Sequence, residues 1–269
     1  MKVPEAFGLF HLMSIAIMCA SIISLYKQLS KHSEEKLKLT LGTYAIVALI
    51  LELTKQIVWS ANCDLNANTV SWDFQWYAAP FQLCTTPIYA CIISLFLNKK
   101  SELRKGLLSY VAFVTILGSI ATIVIPDQCF TSTIVVNLHT MWLHYGSFVV
   151  STYLIFSGEV ELTIDNLRKA IVVFASFAGI ATMLNIGVYQ SGVLNGETFN
   201  MFYISPYFIS ELPVFDTIQK SVPYVLFLTT YIIALSVGAT LIFTISKCFK
   251  YLFDHDHNMS HSNKINIKR

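Results

Sequence analysis

The sequence predicts an all-α membrane protein with seven transmembrane helices, and three observations lead to this fold class. The chain of 269 residues is 55% hydrophobic and only 13% charged, about half the charge of an average soluble domain. Seven stretches are long and apolar enough to cross a bilayer as helices, which takes about 20 residues each. Basic residues are concentrated in alternate loops between these stretches, as in proteins that cross the membrane repeatedly.

The seven predicted spans form one domain over residues 1–250, with no internal repeat. A cleaved signal peptide is not expected at the N-terminus, because Lys2 is offset by Glu5 and no small-residue cleavage site follows the first apolar stretch. Residues 251–269 form a polar tail. In chain order the spans cover about residues 7–26, 39–59, 78–97, 106–125, 134–157, 170–189 and 222–248.

The distribution of basic residues predicts the orientation of the chain. The first loop carries four lysines, the third carries three lysines and Arg104, and the fifth carries Arg168 and Lys169. The second and fourth loops carry none, and the long sixth loop has only Lys220. Because basic loops stay on the cytoplasmic side, we expect the N-terminus outside the cell and the polar tail in the cytoplasm.

Polar side chains inside the predicted spans are the first candidates for a functional site, because they are costly in lipid. With the predicted orientation they lie within roughly 5–15 Å of the outer boundary, at a rise of 1.5 Å per residue. This common depth predicts a polar cavity in the outer half of the bundle. The residues are His11 on the first span, Glu52, Lys55 and Gln56 on the second, Gln82 and Cys84 on the third, Asn137, His139 and His144 on the fifth, and Asn185 on the sixth.

Local spacing adds detail to this expected cavity. Glu52 can meet Lys55 or Gln56 one helical turn later. Pro80 and Pro87 flank Cys84 and can loosen the backbone hydrogen bonding of the third span. The aromatic sixth loop, residues 190–221, is expected at the outer interface or folded back into the bundle.

Short motifs around these residues resemble a known family. Residues 81–86, Phe-Gln-Leu-Cys-Thr-Thr, resemble the Leu-His-Leu-Cys-Ser segment of the bacterial YwaF-type integral membrane proteins. His11, Glu52, and His144 within Trp-Leu-His-Tyr-Gly resemble further signature positions. Residues 200–203, Asn-Met-Phe-Tyr, resemble a motif in which members carry Asn-Tyr-Met-Phe. YwaF-type proteins are grouped with the eukaryotic transmembrane protein 164 family, which is similar to lipid acyltransferases that use a membrane cysteine and a histidine.

The resemblance implies that Cys84 is a nucleophile and that His144 is its base. Gln82 departs from the family pattern, since many members have His at this position. The resemblance also implies a bacterial plasma membrane as the location. Thr85 or Thr86 is the alternative nucleophile, because the related androgen-induced membrane hydrolases use Thr and His.

Thioester chemistry in a membrane sets further requirements. A base must generate the thiolate, a second group must orient the base, and donors must bind the oxyanion. Glu52 is the membrane carboxylate available to orient His144. Asn185, Asn200 or Gln82 can donate to the oxyanion. The sequence requires no metal and no soluble cofactor.

The sequence therefore favours a lipid acyltransferase or lipid hydrolase that acts on phospholipid acyl groups, with membrane lipids as its substrate or environment. A transporter or binding protein using the same polar cavity is the main alternative, and a receptor-like or assembly protein is the third. No nucleic-acid partner and no obligatory protein partner is expected. Cys63 and Cys129 both lie in predicted outer loops, where they can form a disulfide.

Overall fold

The computed structural model describes residues 2–29, 32–64, 68–126 and 129–266, with side chains described as far as Leu252. Within these residues most of the chain is helical, and strands occur only in one short hairpin. The elements in chain order are α1 Leu9–Lys27, α2 Glu34–Ser60, β1 Ala61–Asp64, β2 Thr69–Trp72, α3 Thr86–Phe96, α4 Glu102–Tyr110, α5 Ile116–Val124, α6 Ile134–Met141, α7 Ser147–Phe156, α8 Ile164–Gln190, α9 Phe215–Ser221 and α10 Tyr224–Asn266. Two π segments join neighbouring helices, Val111–Thr115 between α4 and α5 and Trp142–Gly146 between α6 and α7.

Five helical stretches are long and apolar enough to cross a membrane: Leu9–Lys27, Glu34–Ser60, Glu102–Val124, Ile164–Gln190 and Tyr224–Leu252. They coincide with the first, second, fourth, sixth and seventh predicted spans. The fifth predicted span is also one continuous helix, formed by α6, the π segment and α7, but Asn137, His139 and His144 make it less apolar. A total of seven crossings stays a prediction.

Capping side chains and first-turn acids begin two of the membrane-length helices, α2 and α8, near one end of the molecule. Ser33 accepts a hydrogen bond from the Lys36 backbone N–H at 3.3 Å, at the start of α2. Thr163 does the same for Asn166 at 3.2 Å, at the start of α8. Such caps satisfy backbone donors that have no partner in the first helical turn.

The third predicted span differs from the prediction, since its helix begins at Thr86 and not near Ala78. The segment before it is non-helical, and Ala79 has φ −54° and ψ 143°. Pro80 explains this break, because a proline disfavours helical dihedrals in the residue before it and cannot donate a backbone hydrogen bond. Pro87 is tolerated in the first turn of α3, where its missing N–H costs little. The chain therefore forms a non-helical turn before α3, where the sequence analysis predicts the first turns of a helix.

The structure adds a small antiparallel hairpin that the sequence analysis does not predict. Strand β1 pairs with β2, with Cys63 opposite Val70 and Asn62 opposite Ser71. Both strands are largely exposed. The hairpin connects α2 to the turn before α3.

The π segment Val111–Thr115 is buried and packs against α7. Ser151 of α7 donates to the Val111 carbonyl at 2.7 Å, and the Thr115 and Ser147 hydroxyls are 2.9 Å apart. These hydroxyls satisfy backbone and side-chain groups where the regular helical bonding is interrupted. Ser147 and Ser151 of the fifth predicted span therefore have a structural role.

Large buried aromatic side chains form the core between α4, its π segment, α8 and α10. They include Tyr110, Phe113, Phe174, Phe227 and Tyr231, each fully buried. Large apolar side chains on the outside of α1, α8 and α10 are exposed, among them Leu9, Val172 and Val225. An apolar exterior of this kind is what a lipid-facing surface requires.

The loops gather at two ends. At one end, Arg104 contacts Glu34 at 2.7 Å and Glu159 at 3.6 Å, which joins the first, third and fifth predicted loops. At the other end, the Trp76 backbone N–H donates to Glu197 at 3.1 Å, which joins the second and sixth loops.

Candidate functional site

Cys84 lies in a short non-helical segment, residues 79–85, which we call the cysteine turn. Neighbouring side chains hold this segment through the carbonyl groups of Ala78, directly before it, and of Pro80. Lys55 and Gln56 donate to the Ala78 carbonyl at 3.0 and 2.6 Å, and Tyr89 donates to that of Pro80. The break in the third span is therefore fixed at its start by two polar side chains of α2.

Gln82 fastens the cysteine turn to a second non-helical segment, residues 199–210, which we call the buried loop. Its Nε2 donates to the Asn200 carbonyl at 3.0 Å, and its Oε1 accepts from the Phe202 backbone N–H at 2.8 Å. The buried loop folds back into the bundle, and Met201, Phe202 and Ile204 are fully buried. The expectation of a sixth loop that returns to the bundle is thus met over these residues.

Asn185 and Asn200 also hold the buried loop. Asn185 on α8 donates to the Met201 carbonyl at 3.0 Å and accepts from the Met201 N–H at 2.7 Å. Asn200 donates to the Ile209 carbonyl at 3.0 Å and accepts from the Ser205 N–H at 2.9 Å. Each of these amides bonds to loop backbone, so Asn185, Asn200 and Gln82 position the loop.

The buried loop carries local backbone strain next to the cysteine turn. Phe202 and Tyr203 have φ values of 59° and 57°, in the left-handed region that bulky residues rarely adopt. Each such residue costs on the order of 1–3 kcal/mol and persists only where the surroundings impose it. Gln82 supplies part of that constraint through the Phe202 N–H. Strain of this kind is frequent where a loop must present a side chain in one orientation.

Cys84 is surrounded by hydroxyl groups and backbone donors. Its side chain is partly exposed, whereas Cys91, two turns further along α3, is fully buried. The thiol lies within electrostatic range of the phenols of Tyr44, Tyr110 and Tyr203. Burial raises the pKa of Tyr203 in the loop, so this phenol keeps its proton and can donate.

The backbone of the cysteine turn is only partly used in hydrogen bonding. The N–H groups of Gln82, Leu83 and Cys84 donate to no backbone carbonyl among the described residues, whereas those of Thr85 and Thr86 donate to the Gln82 carbonyl at 3.0 and 3.2 Å. The turn immediately precedes α3, whose N-terminal end carries a partial positive charge. Such a position stabilises an oxyanion that develops close to it.

Glu52 forms a buried charge cluster with Lys55 and Gln56, as predicted from helical spacing, and also with His139. Its carboxylate accepts from Lys55 at 2.6 Å, Gln56 at 3.0 Å and His139 at 2.6 Å. The Glu52–Lys55 pair expected from helical spacing is present. The role of Glu52 as the group that orients His144 is wrong for this structure, because its histidine partner is His139.

His144 makes no hydrogen bond to the Glu52 cluster among the described residues. His139 lies in α6 and bonds to Glu52, whereas His144 lies in the π segment Trp142–Gly146. The His144 ring packs against α5, where a Cβ built on Gly118 would lie 3.8 Å from its Cε1 and Nδ1 atoms. Among the described residues, no hydrogen bond joins His144 to Cys84. Tyr44 lies near both residues. Its hydroxyl donates at 3.3 Å to the carbonyl of Leu143, which precedes His144 in the chain.

His11 lies apart from the other candidates, in a small aromatic cluster on α1. Its Nδ1 accepts from the Phe7 backbone N–H at 3.1 Å, and its ring lies 5.6 Å from that of Phe130. Cys63 and Cys129 are not joined by a disulfide in the structure. Within the described part of the chain, no three His, Cys, Asp or Glu side chains lie close enough together to hold a metal ion.

Sequence reasoning missed several parts of this site. It did not identify Tyr44, Tyr110 or Tyr203 as neighbours of Cys84, because tyrosines are common in membrane bundles and their direction is unknown without the fold. It also placed Cys84 on a helix, where its N–H would be used internally. Pro80 was the available signal for the break.

The fold and the site define a polytopic α-helical membrane protein whose polar residues are gathered inside the bundle around a partly exposed cysteine. Residues 6–245 match the TMEM164 family. The chain belongs to this family, which spans nearly its whole length. Neither a curated protein nor a solved structure matches it.

Proposed function

We propose that this protein transfers or hydrolyses phospholipid acyl groups through a thioester on Cys84. The observation that carries the proposal is the cysteine turn itself: a partly exposed thiol lies at the start of a helix, in a turn whose N–H groups at Gln82, Leu83 and Cys84 bond to no backbone carbonyl of the described residues. A nucleophile next to fixed N–H donors is the arrangement that acyl transfer requires. Membership of the TMEM164 family is consistent with such a role.

The proposed reaction has two steps. A base removes the Cys84 proton, and the thiolate sulfur attacks the ester carbonyl carbon of a phospholipid. The N–H groups of Leu83 and Cys84 stabilise the oxyanion, the carbon–oxygen bond breaks, and the lysophospholipid oxygen takes a proton. A hydroxyl of an acceptor lipid, or water, then attacks the thioester carbon and releases the Cys84 thiolate.

Cys84 is the better-placed nucleophile among the alternatives in the turn. The Thr85 hydroxyl donates to the Gln82 carbonyl at 2.9 Å, and the Thr86 hydroxyl donates to the Leu83 carbonyl at 2.7 Å. Both threonines are buried. Their hydroxyl protons are therefore used in holding the turn, which supports a structural role for them.

His144 is the proposed base. It is partly exposed and lies in a π segment, a local irregularity that is frequent at functional sites. Catalytic hydrogen bonds are often absent in the free enzyme and form when the substrate is bound. Tyr203 is proposed as an additional donor to the oxyanion, since its phenol is near Cys84.

The transporter alternative receives less support. A transport site needs polar groups that are available to a solute, but Glu52, Lys55, Gln82, Asn185 and Asn200 all bond to protein groups.

We also propose seven crossings with the N-terminus outside, in a bacterial plasma membrane. The grouping of alternate loops at opposite ends supports this topology.

Trapping of the acyl thioester tests the proposal. The purified protein is incubated with a mixed phospholipid extract, and peptides are analysed by mass spectrometry for an acyl adduct that hydroxylamine removes. We expect the adduct on Cys84, its loss in Cys84→Ala, and a reduction of roughly 100-fold or more in His144→Ala, as general-base catalysis contributes about 10²–10⁴.

Cys91→Ala is the matched control, because Cys91 is a fully buried thiol on the same helix. It should acylate as the wild type does. An adduct that persists in Cys84→Ala, or no adduct with any of several lipid mixtures, would overturn the proposed chemistry.

A further inference from the structure

A polar cavity of about 350 Å³ lies at the opposite end of the molecule from the cysteine turn. It is formed where the loops after α1, α3 and α7 meet. Three cationic side chains and two carboxylates are among the residues around it, together with a histidine and several small polar groups. The charged members are Lys99, Arg104, Lys105, Glu159 and Glu161.

Buried donors without partners face this cavity. Arg104 is 2% exposed, and its Nη2 contacts Glu34 at 2.7 Å and Glu159 at 3.6 Å. Its Nε has no hydrogen-bond partner among the described residues, nor has the hydroxyl of Ser109, which is 1% exposed. Both residues line the cavity. Buried donors are normally satisfied, so these two indicate an acceptor that occupies the space.

An apolar groove of about 190 Å³ adjoins the polar cavity. It runs between α1 and α7 and is lined by Ile22, Leu25, Tyr26, Leu29, Val149, Thr152, Tyr153 and Phe156. The two spaces meet at one contact, because Tyr153 of the groove bonds to the Nδ1 of His32 at 3.0 Å and His32 lines the polar cavity. The groove and the polar cavity are therefore neighbouring spaces, with the Tyr153–His32 contact between them.

We propose that this end of the bundle binds a membrane phospholipid, with its phosphate in the polar cavity and one acyl chain in the groove. Arg, Lys and hydroxyl donors are the groups that bind phosphate oxygens. Lys99 and Lys105 at the rim add the attraction that lysines near a membrane surface exert on lipid phosphates. A free anion would use the polar cavity alone, and the adjoining groove favours a lipid. This site is separate from Cys84 and does not depend on its chemistry.

Lipid titration monitored by native mass spectrometry tests the proposal on the full chain in detergent. The probes are phosphatidylglycerol and phosphatidylethanolamine, with glycerol phosphate as the soluble anion. We expect saturable binding of one phospholipid and little competition by glycerol phosphate. Lys99→Gln combined with Lys105→Gln should weaken this binding by roughly tenfold or more, from about 1 kcal/mol per lysine.

Further variants test the binding of the lipid headgroup and of the acyl chain separately. Lys100→Gln is the control for Lys99, since Lys100 is exposed in the same loop but does not line the cavity. Thr152→Trp fills the groove and should also weaken lipid binding, whereas Thr152→Val keeps its shape and should not. Ser109→Ala should reduce affinity without removing a charge.

Three results would overturn the proposal. The first is an affinity for lipid that is the same in the Lys99/Lys105 double variant and in the Lys100 control. The second is equal binding of glycerol phosphate and phospholipid together with no effect of Thr152→Trp, which would indicate a soluble anion site. The third is the absence of saturable lipid binding to wild-type protein that retains its normal melting temperature.

Discussion

Single residues show most clearly how charge is accommodated in this bundle. Glu52 and Lys55 are 3% and 6% exposed, and each depends on the other for compensation. We expect Glu52→Gln to lower the free energy of unfolding by about 3–5 kcal/mol, because removing one member leaves a buried charge without its partner. The measurement is thermal unfolding in detergent.

The chain contains a matched control for this experiment. Lys2 and Glu5 form an ion pair with the same spacing, but both side chains are highly exposed, so Glu5→Gln should leave the melting temperature unchanged. The double variant Glu52→Gln with Lys55→Met should recover much of the lost stability. A melting temperature of Glu52→Gln equal to that of Glu5→Gln would contradict the buried-pair interpretation.

Two glycines test how the surroundings of Cys84 and His144 are packed. A Cβ on Gly146 would lie 3.0 Å from two ring carbons of Tyr44, so Gly146→Ala should cost about 1–3 kcal/mol through overpacking. A Cβ on Gly118 would make ordinary contact with His144 at 3.8 Å, and Gly118→Ala should be tolerated. Melting temperatures and the rate of Cys84 labelling by a maleimide measure both effects; equal behaviour of the two variants would refute the packing argument.

The elements show where sequence reasoning succeeded and where it could not succeed. Long apolar runs identified five membrane-length helices, because length and hydropathy alone determine them. The start of α3 was missed by about eight residues, although Pro80 is visible in the sequence, since prolines also occur within continuous membrane helices. The π segments depend on tertiary partners such as Ser151, which no local pattern specifies.

The sequence predicted that these polar residues are buried in the bundle, but it did not predict most of their partners. Glu52, Lys55, Gln82, Asn185 and Asn200 are all buried or partly buried in the bundle, as their cost in lipid implies. The pair of Glu52 and Lys55 follows from helical spacing, but pairing between helices could not be read from the sequence, because it depends on helix rotation. Among the described histidines, His139 and not His144 reaches the Glu52 carboxylate.

The connection between the cysteine turn and the buried loop gives a prediction for these two elements. Gln82→Leu removes both hydrogen bonds to loop backbone, which should cost about 1–3 kcal/mol because a buried N–H and C=O lose their partner. We expect faster hydrogen exchange at residues 199–205. Gln190→Leu is the control, since Gln190 is exposed and makes one long contact of 3.5 Å to Tyr207. Unchanged exchange in the Gln82 variant would show that the loop is held by packing alone.

At the scale of the whole molecule, the number of crossings depends on the third span. Helix α3 has 11 residues and is about 16 Å long at 1.5 Å per residue, roughly half of the hydrocarbon thickness. The non-helical cysteine turn must supply the rest of the crossing. Backbone of this kind is tolerated at membrane depth only where protein surrounds it, and the bonds of Ala78, Pro80 and Gln82 meet that condition.

Cysteine labelling decides between seven crossings and a third span that turns back. In single-cysteine proteins, we expect a membrane-impermeant maleimide to label Cys63 of the exposed hairpin in intact cells. Cys248 and a cysteine introduced by Lys100→Cys should react only after permeabilisation, because the positive-inside rule places both on the cytoplasmic side. If the cysteine at position 100 reacts as readily as Cys63, α3 does not cross. That result would place the two ends of the third span, and the loops that flank it, on the same side of the membrane.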